Sequence, residues 1–330
     1  MTMSAFPLVK LPLLPLENIA KQMEFLSLLQ LSMMSRKLAG TLQLLKLNPP
    51  INFLNVSLEE RTTFICINRN GDDISIMEVG RNRGGTRIPD ILRRQGRQVN
   101  NITVPSEESR LLETLEEVVN HILSIIKVEY FCFTSGNGMR DIRNLFIFRI
   151  TQQFENLNIR SPYISPEDLT FLLEDISTNR LNLDVRTSPE FKYRKPIKHP
   201  VFTIPKCDWL NLETLTLAPD TISARFDNAK VNNSVLDGLI QDWKEGKNLE
   251  LKEVLFTWKD NDPSNYWRNH PNHPERLAVA NEGVQPLNGR RIVVANSREI
   301  GPNYTMLYKT RLSVSDQLGR RDQPWRAIVG

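Results

Sequence analysis

The sequence predicts a mixed α/β fold, α+β overall, and three observations carry that reading. Between residues 105 and 260, β-type runs alternate with helical ones, which argues for βαβ units and a largely parallel sheet. Asn70-Gly71 separates two β-type runs, Thr62 to Ile67 and Ile74 to Val79, and predicts a hairpin before that region. Hydrophobic residues make up 40% of the 330 residues and charged ones 24%, enough apolar material for a sizeable core.

Residues 1–47 read as a small helical segment. Proline punctuates its start at Pro7, Pro12 and Pro15. Leu16 to Gln22 reads as one helix, and Phe25 to Leu38 as a second, broken one. Leu28, Leu31, Met34 and Leu38 lie at helical spacing, and Phe25, Leu26, Leu29 and Met33 spread apolar surface around the remaining circumference. So short and so apolar a segment has to bury its excess against something else. Asn48-Pro49-Pro50 reads as its boundary. Residues 48–104 then hold the hairpin and, from residue 80, a long loop.

The next region spans 105–260. Ser106 is the expected N-cap of a helix through Leu111, Leu112, Leu115, Val118, Val119, Ile122 and Ile126. Val128 to Phe133 reads as a strand, Met139 to Phe148 as a weak helix, and Phe154-x-x-Leu157-x-Ile159 as a strand. Ser165-Pro166-Glu167-Asp168 combines an N-cap serine, proline at the first helical position and acids in the first turn. Leu169, Leu172, Leu173 and Ile176 continue that helix, and Leu181-x-Leu183-x-Val185 is the strand after it. Beyond a proline-broken stretch (189–208), Leu212 to Leu217 reads as a strand. A helix from Ser234 through Leu236, Leu239, Ile240 and Trp243 follows, with Gly246 as C-cap, and then a strand from Leu251 to Phe256. L-x-x-L-x-L is the strand signature of leucine-rich repeats, here at irregular intervals. Residues 261–330 add the β-like runs Arg291 to Ala295 and Tyr304 to Tyr308 and a polar tail.

Charge and chemistry narrow the function classes. The formal net charge of +4 is too small to demand a nucleic-acid or membrane partner. It is concentrated, however: Arg81, Arg83, Arg87, Arg93, Arg94 and Arg97 face one acid, Asp90. That segment suits an acidic partner or nucleic acid, but no aromatic residue interleaves it to stack bases. Cys66, Cys132 and Cys207 are odd in number and widely spaced, which argues against a disulfide framework and for a reducing compartment. With no apolar run of membrane-spanning length, cytoplasm or nucleus is the expected location. The sequence lacks G-x-S-x-G, P-loop, Rossmann, H-E-x-x-H and C-x-x-C motifs. His270 and His273 are flanked by prolines that disfavour a shared helical face, so no metal or cofactor is expected. Asp168, Glu174 and Asp175 read as helix-dipole compensation and a solvated face rather than catalysis.

The order Phe6-Pro7-Leu8, Leu11-Pro12, Leu14-Pro15-Leu16-Glu17, Ile19, Leu26, Leu28, Leu31-Ser32, Ser35-Arg36 resembles an F-box. Lys37-Leu38 follow where many F-boxes place a tryptophan. Residues 154–185 and 209–258, with "WLNLETLTL" and "LIQDWKEG", resemble the type 2 F-box-associated domain of nematode F-box proteins. The resemblance implies a non-catalytic substrate receptor of a cullin-based ubiquitin ligase. Its F-box would bind a Skp-type adaptor and its C-terminal domain a protein substrate. Carried onto matching positions, Leu11, Pro12, Leu16, Ile19, Leu28 and Leu31 are the expected adaptor contacts or their support. The competing readings are a leucine-rich-repeat-like binding module without a ligase link, and an RNA-binding protein that uses the arginines.

Overall fold

The computed structural model describes residues 12–23, 25–45, 47–58, 63–69, 73–80, 99–136, 139, 141–227, 229, 235, 238–239, 241–242, 245, 250–258 and 291–296. The fold is mixed α/β and its strands are mostly parallel. The chain divides into two compact units. Met1–Met139 and Asn144–Leu157 form the first, and Arg140–Arg143 with Asn158–Gly330 form the second.

The first unit opens with three helices, α1 (Leu13–Gln22), α2 (Phe25–Met34) and α3 (Arg36–Leu45). Pro15 falls in the first turn of α1, where a missing N–H costs no intrahelical bond. Ser35 breaks the helical run, as its Oγ accepts from Leu38 N at 3.3 Å and so caps α3. The expected second helix is therefore two.

Strand β1 (Leu47–Leu58) follows the helices and runs through Asn48-Pro49-Pro50. Those residues sit inside the strand, where the ladder to β5 (Ile126–Ser135) shifts register between Leu47 and Ile51. Prolines donate no hydrogen bond, so the chain crosses them as an irregularity. The hairpin strands are β2 (Thr63–Arg69) and β3 (Asp73–Gly80), paired antiparallel, while the Asn70-Gly71 turn lies outside the described residues. A correction concerns the loop expected from residue 80 to 104. Its end forms β4 (Val99–Pro105), parallel to β3. Asn100 and Asn101 are poor strand formers, and pairing with β3 overrides them.

Helix α4 (Leu111–Ile125) buries Leu115, Val118, Val119, Ile122 and Ile125. Ser106 does not cap it. The chain enters through a 3₁₀ turn at Glu108–Arg110, and the Ser106 hydroxyl bonds Glu107 O and Thr114 Oγ1. In the sheet, Leu54, Val56 and Leu58 of β1 align with Ile67, Ile65 and Thr63 of β2, all buried on one face. The weak helix reduces to a 3₁₀ turn (Ile142–Asn144) and one turn of α5 (Phe146–Ile150). Phe148 meets Phe133 and Phe154 edge to face at 5.9 and 5.7 Å. β6 (Gln153–Ser161) carries the chain across the division between the units.

In the second unit, α6 (Pro166–Glu174) begins as expected, with Ser165 Oγ accepting from Asp168 N at 3.0 Å. Strands β7 (Ser177–Val185), β8 (Val201–Ile204), β9 (Ser223–Phe226), β10 (Glu253–Trp258) and β11 (Arg291–Asn296) pair parallel in chain order. β8 and β9 lie outside the expected strands. Conversely, the strand expected at 212–217 is a 3₁₀ turn, Leu212–Thr214, and Asn211 Oδ1 accepts from Glu213 N. Leu217 contributes only a bridge to Ile197. Val235, Gly238, Leu239, Gln241 and Asp242 are helical, in line with the helix expected there, while Gly246 lies outside the described residues. Tyr304 to Tyr308, and His270 and His273, also lie outside them.

Register stacks the apolar residues into columns. Leu181, Phe202, Ala224, Val254 and Ile292 are consecutive partners, as are Ile204, Phe226, Phe256 and Val294. Phe226 stacks on Phe256 at 5.1 Å and meets Phe202 edge to face at 5.5 Å. Phe226→Ala should therefore cost about 3–5 kcal/mol, the range for truncating a core aromatic, read by urea unfolding. His199 is buried, with Nε2 donating to Leu172 O at 3.2 Å, and burial holds its pKa below the ordinary 6.5. The unfolded chain then binds the extra proton first. Stability should be level above pH 6.5 and fall below it, down to the lowered folded pKa. His199→Gln should flatten that acid limb in thermal melts.

Candidate functional site

Two surfaces stand out, one by its exposed apolar side chains and one by an aligned polar row. The first is on α1–α3. Helix α2 buries Leu28, Leu29 and Ser32, which the i, i+4 spacing places on one side. The Ser32 hydroxyl donates to Leu29 O at 2.6 Å. His121 Nε2 of α4 lies 2.7 Å from the same oxygen and therefore donates to it. Partial burial lowers the His121 pKa, which favours the neutral ring, here with its proton on Nε2. A second bond, Gln43 Nε2 to Ser124 Oγ at 2.9 Å, ties α3 to α4. The helical segment is thus keyed to α4 at two points.

That key decides which side of α2 faces out. Gln30, Met33 and Met34 share the exposed side. Met34 is 83% exposed and Met33 40%, alongside Leu14 of α1 at 72% and Leu44 of α3 at 79%. Large apolar side chains thus stand at solvent positions of three successive helices.

The expected adaptor residues distribute differently. Leu16 and Leu28 are buried, so they hold the helices in place; Ile19 and Leu31 are half-buried, and Pro12 is exposed. Leu11 lies outside the described residues, as do Arg81, Arg83, Arg87, Arg93, Arg94 and Arg97. Leu14, Met33, Met34 and Leu44 were absent from the expected set. Helix α2 is apolar nearly all round, so its sequence gives no periodic signal of which side is covered.

The second surface is the sheet face opposite the apolar columns in the second unit. Asn182, Thr203 and Arg225 align across β7–β9, all half-buried. Ion pairs Lys206–Asp184 (2.6 Å) and Arg225–Asp227 (2.9 Å) lie beside this row. The Asn182 Oδ1 atom is buried without a hydrogen-bond partner.

Asp168 accepts from Arg143 N at 3.1 Å, and Glu174 pairs with Lys195 at 2.7 Å. Cys66 and Cys132 flank Asn55 on either side of β1. Two strand spacings, roughly 9–10 Å, put them beyond disulfide reach. Burial first, and Cys132 second, push the Cys66 thiol up to about 12. Among the described residues no group of three or more His, Cys, Asp or Glu is placed to hold a metal ion, and no helix is long and apolar enough to cross a membrane.

No protein-family model, no curated protein and no solved structure matches this chain.

Ser32→Ala should leave the His121 N–H without its acceptor and lower stability by about 1–2 kcal/mol, measured by denaturant unfolding. An unchanged midpoint would show that the bond does not key α2 to α4.

Proposed function

We propose that the chain is a non-catalytic substrate receptor of a cullin-based ubiquitin ligase, with α1–α3 docking a Skp-type adaptor. The observation that carries this reading is the outward apolar set Leu14, Met33, Met34 and Leu44. It falls in the segment whose residue order resembles an F-box. Burying such side chains contributes about 25 cal/mol per Å² of apolar area, the usual driving force of helix docking. The row Asn182, Thr203 and Arg225, with its paired charges, is our choice for the substrate side. Proximity is then the receptor's whole contribution to catalysis, and ubiquitin transfer belongs to other subunits.

A second reading is a leucine-rich-repeat-like binding module with no ligase link. It is favoured by the even spacing of three parallel strands: Leu181, Phe202 and Ala224 are register partners 21 and 22 residues apart. Adaptor binding separates the two.

The test is co-expression with a Skp-type adaptor followed by size-exclusion chromatography and calorimetry. The unmodified chain should co-elute with the adaptor. Leu14→Glu combined with Leu44→Glu should weaken binding at least about 30-fold, as expected of hot-spot residues, with the melting temperature unchanged because both are exposed. A chain that never co-elutes with adaptor would overturn the receptor reading and leave the binding module.

A further inference from the structure

Of the four outward apolar residues, two are adjacent methionines, and the α2–α4 key fixes both in solvent. Leucine would supply the same apolar area without a reactive sulfur. We propose that Met33 and Met34 form an oxidation-sensitive pair, whose conversion to sulfoxide by a peroxide-class oxidant switches off docking on α2. This inference rests on the receptor reading above.

The chemistry is a two-electron oxygen transfer. A sulfur lone pair attacks one peroxide oxygen, the O–O bond breaks and an S–O bond forms. The remaining peroxide oxygen leaves as water with both hydrogens, so sulfur is oxidised and peroxide reduced. The product is a polar, chiral side chain where docking requires an apolar one. Taking it out of water without a partner opposes docking. The step is reversible by methionine sulfoxide reductases, as a switch requires.

Among the described residues, Met33 and Met34 are the exposed methionines, whereas Met23, Met139 and Cys132 are half-buried. Met77, on β3, is fully buried at 0% exposure. Cys66 and Cys207 are buried, and burial raises both thiols far above neutral pH, so neither supplies a reactive thiolate. The side chains of Met33 and Met34 lie on the solvent side of α2, whereas the bonds that hold the helix run from Ser32. Oxidation should therefore leave the fold intact.

The experiment treats the full chain with hydrogen peroxide and maps added oxygen by peptide mass spectrometry. Met34 and Met33 should each gain one oxygen well before Met77. Adaptor affinity should fall at least about tenfold at constant melting temperature and recover on treatment with reductase. A Met33→Leu/Met34→Leu chain, whatever its own affinity for the adaptor, should show the same affinity before and after peroxide. Equal oxidation rates at Met34 and Met77, or equal loss of affinity in the double-leucine chain, would overturn the inference. If the untreated chain binds adaptor and oxidation changes nothing, this inference alone falls. If the untreated chain fails to bind, the receptor reading falls with it.

Discussion

Register is the constraint from which the rest of this structure follows. In both units one sheet face is apolar along aligned columns: Leu54, Val56 and Leu58 against β2 in the first, Leu181 through Val254 and Ile204 through Phe256 in the second. A slip of one residue would turn every one of those side chains to the opposite face, so burial specifies the pairing as strongly as the hydrogen bonds do. The polar row Asn182, Thr203 and Arg225 is the other half of the same alternation. Its alignment is a by-product of packing Phe202 and Phe226.

What was legible in the sequence follows from how local the deciding interactions are. The hairpin, α4 and α6 announce themselves through Asn-Gly, a 3.6-residue period and a serine–proline start, each read within a few residues. β8 and β9 carry four residues each, too few for alternation to register against the polar chain around them. The strand expected at Leu212–Leu217 failed for a related reason. Leu-x-x-Leu is also the i, i+3 spacing of a helical turn, and the Asn211 side chain settles the backbone in that direction. β1 was hidden by prolines that the strand absorbs as an irregularity.

The candidate docking surface was illegible for a deeper reason. Which side of α2 is covered depends on Ser32 meeting His121, a partner 89 residues away. No window of sequence around α2 contains that information. The motif order points to this segment, and some of the residues it names for contact hold the helices in place. Leu16 and Leu28 lie inside, and the side chains that face solvent are their neighbours. A motif records what a segment needs in order to form as well as what it touches.

The consecutive order of β7 to β11 has a mechanical side. Each strand in that run bonds only to the strands before and after it in the chain. Cohesion in such an array is a sum of nearest-neighbour couplings, with no single bond closing it into a ring. A load applied at the β11 end would meet those couplings in series. Strands would peel singly, at forces set by each junction, with aromatic pairs spanning two of them, Phe202–Phe226 between β8 and β9 and Phe226–Phe256 between β9 and β10. A machine that threads its targets from the C-terminal end would feel that run as separate steps.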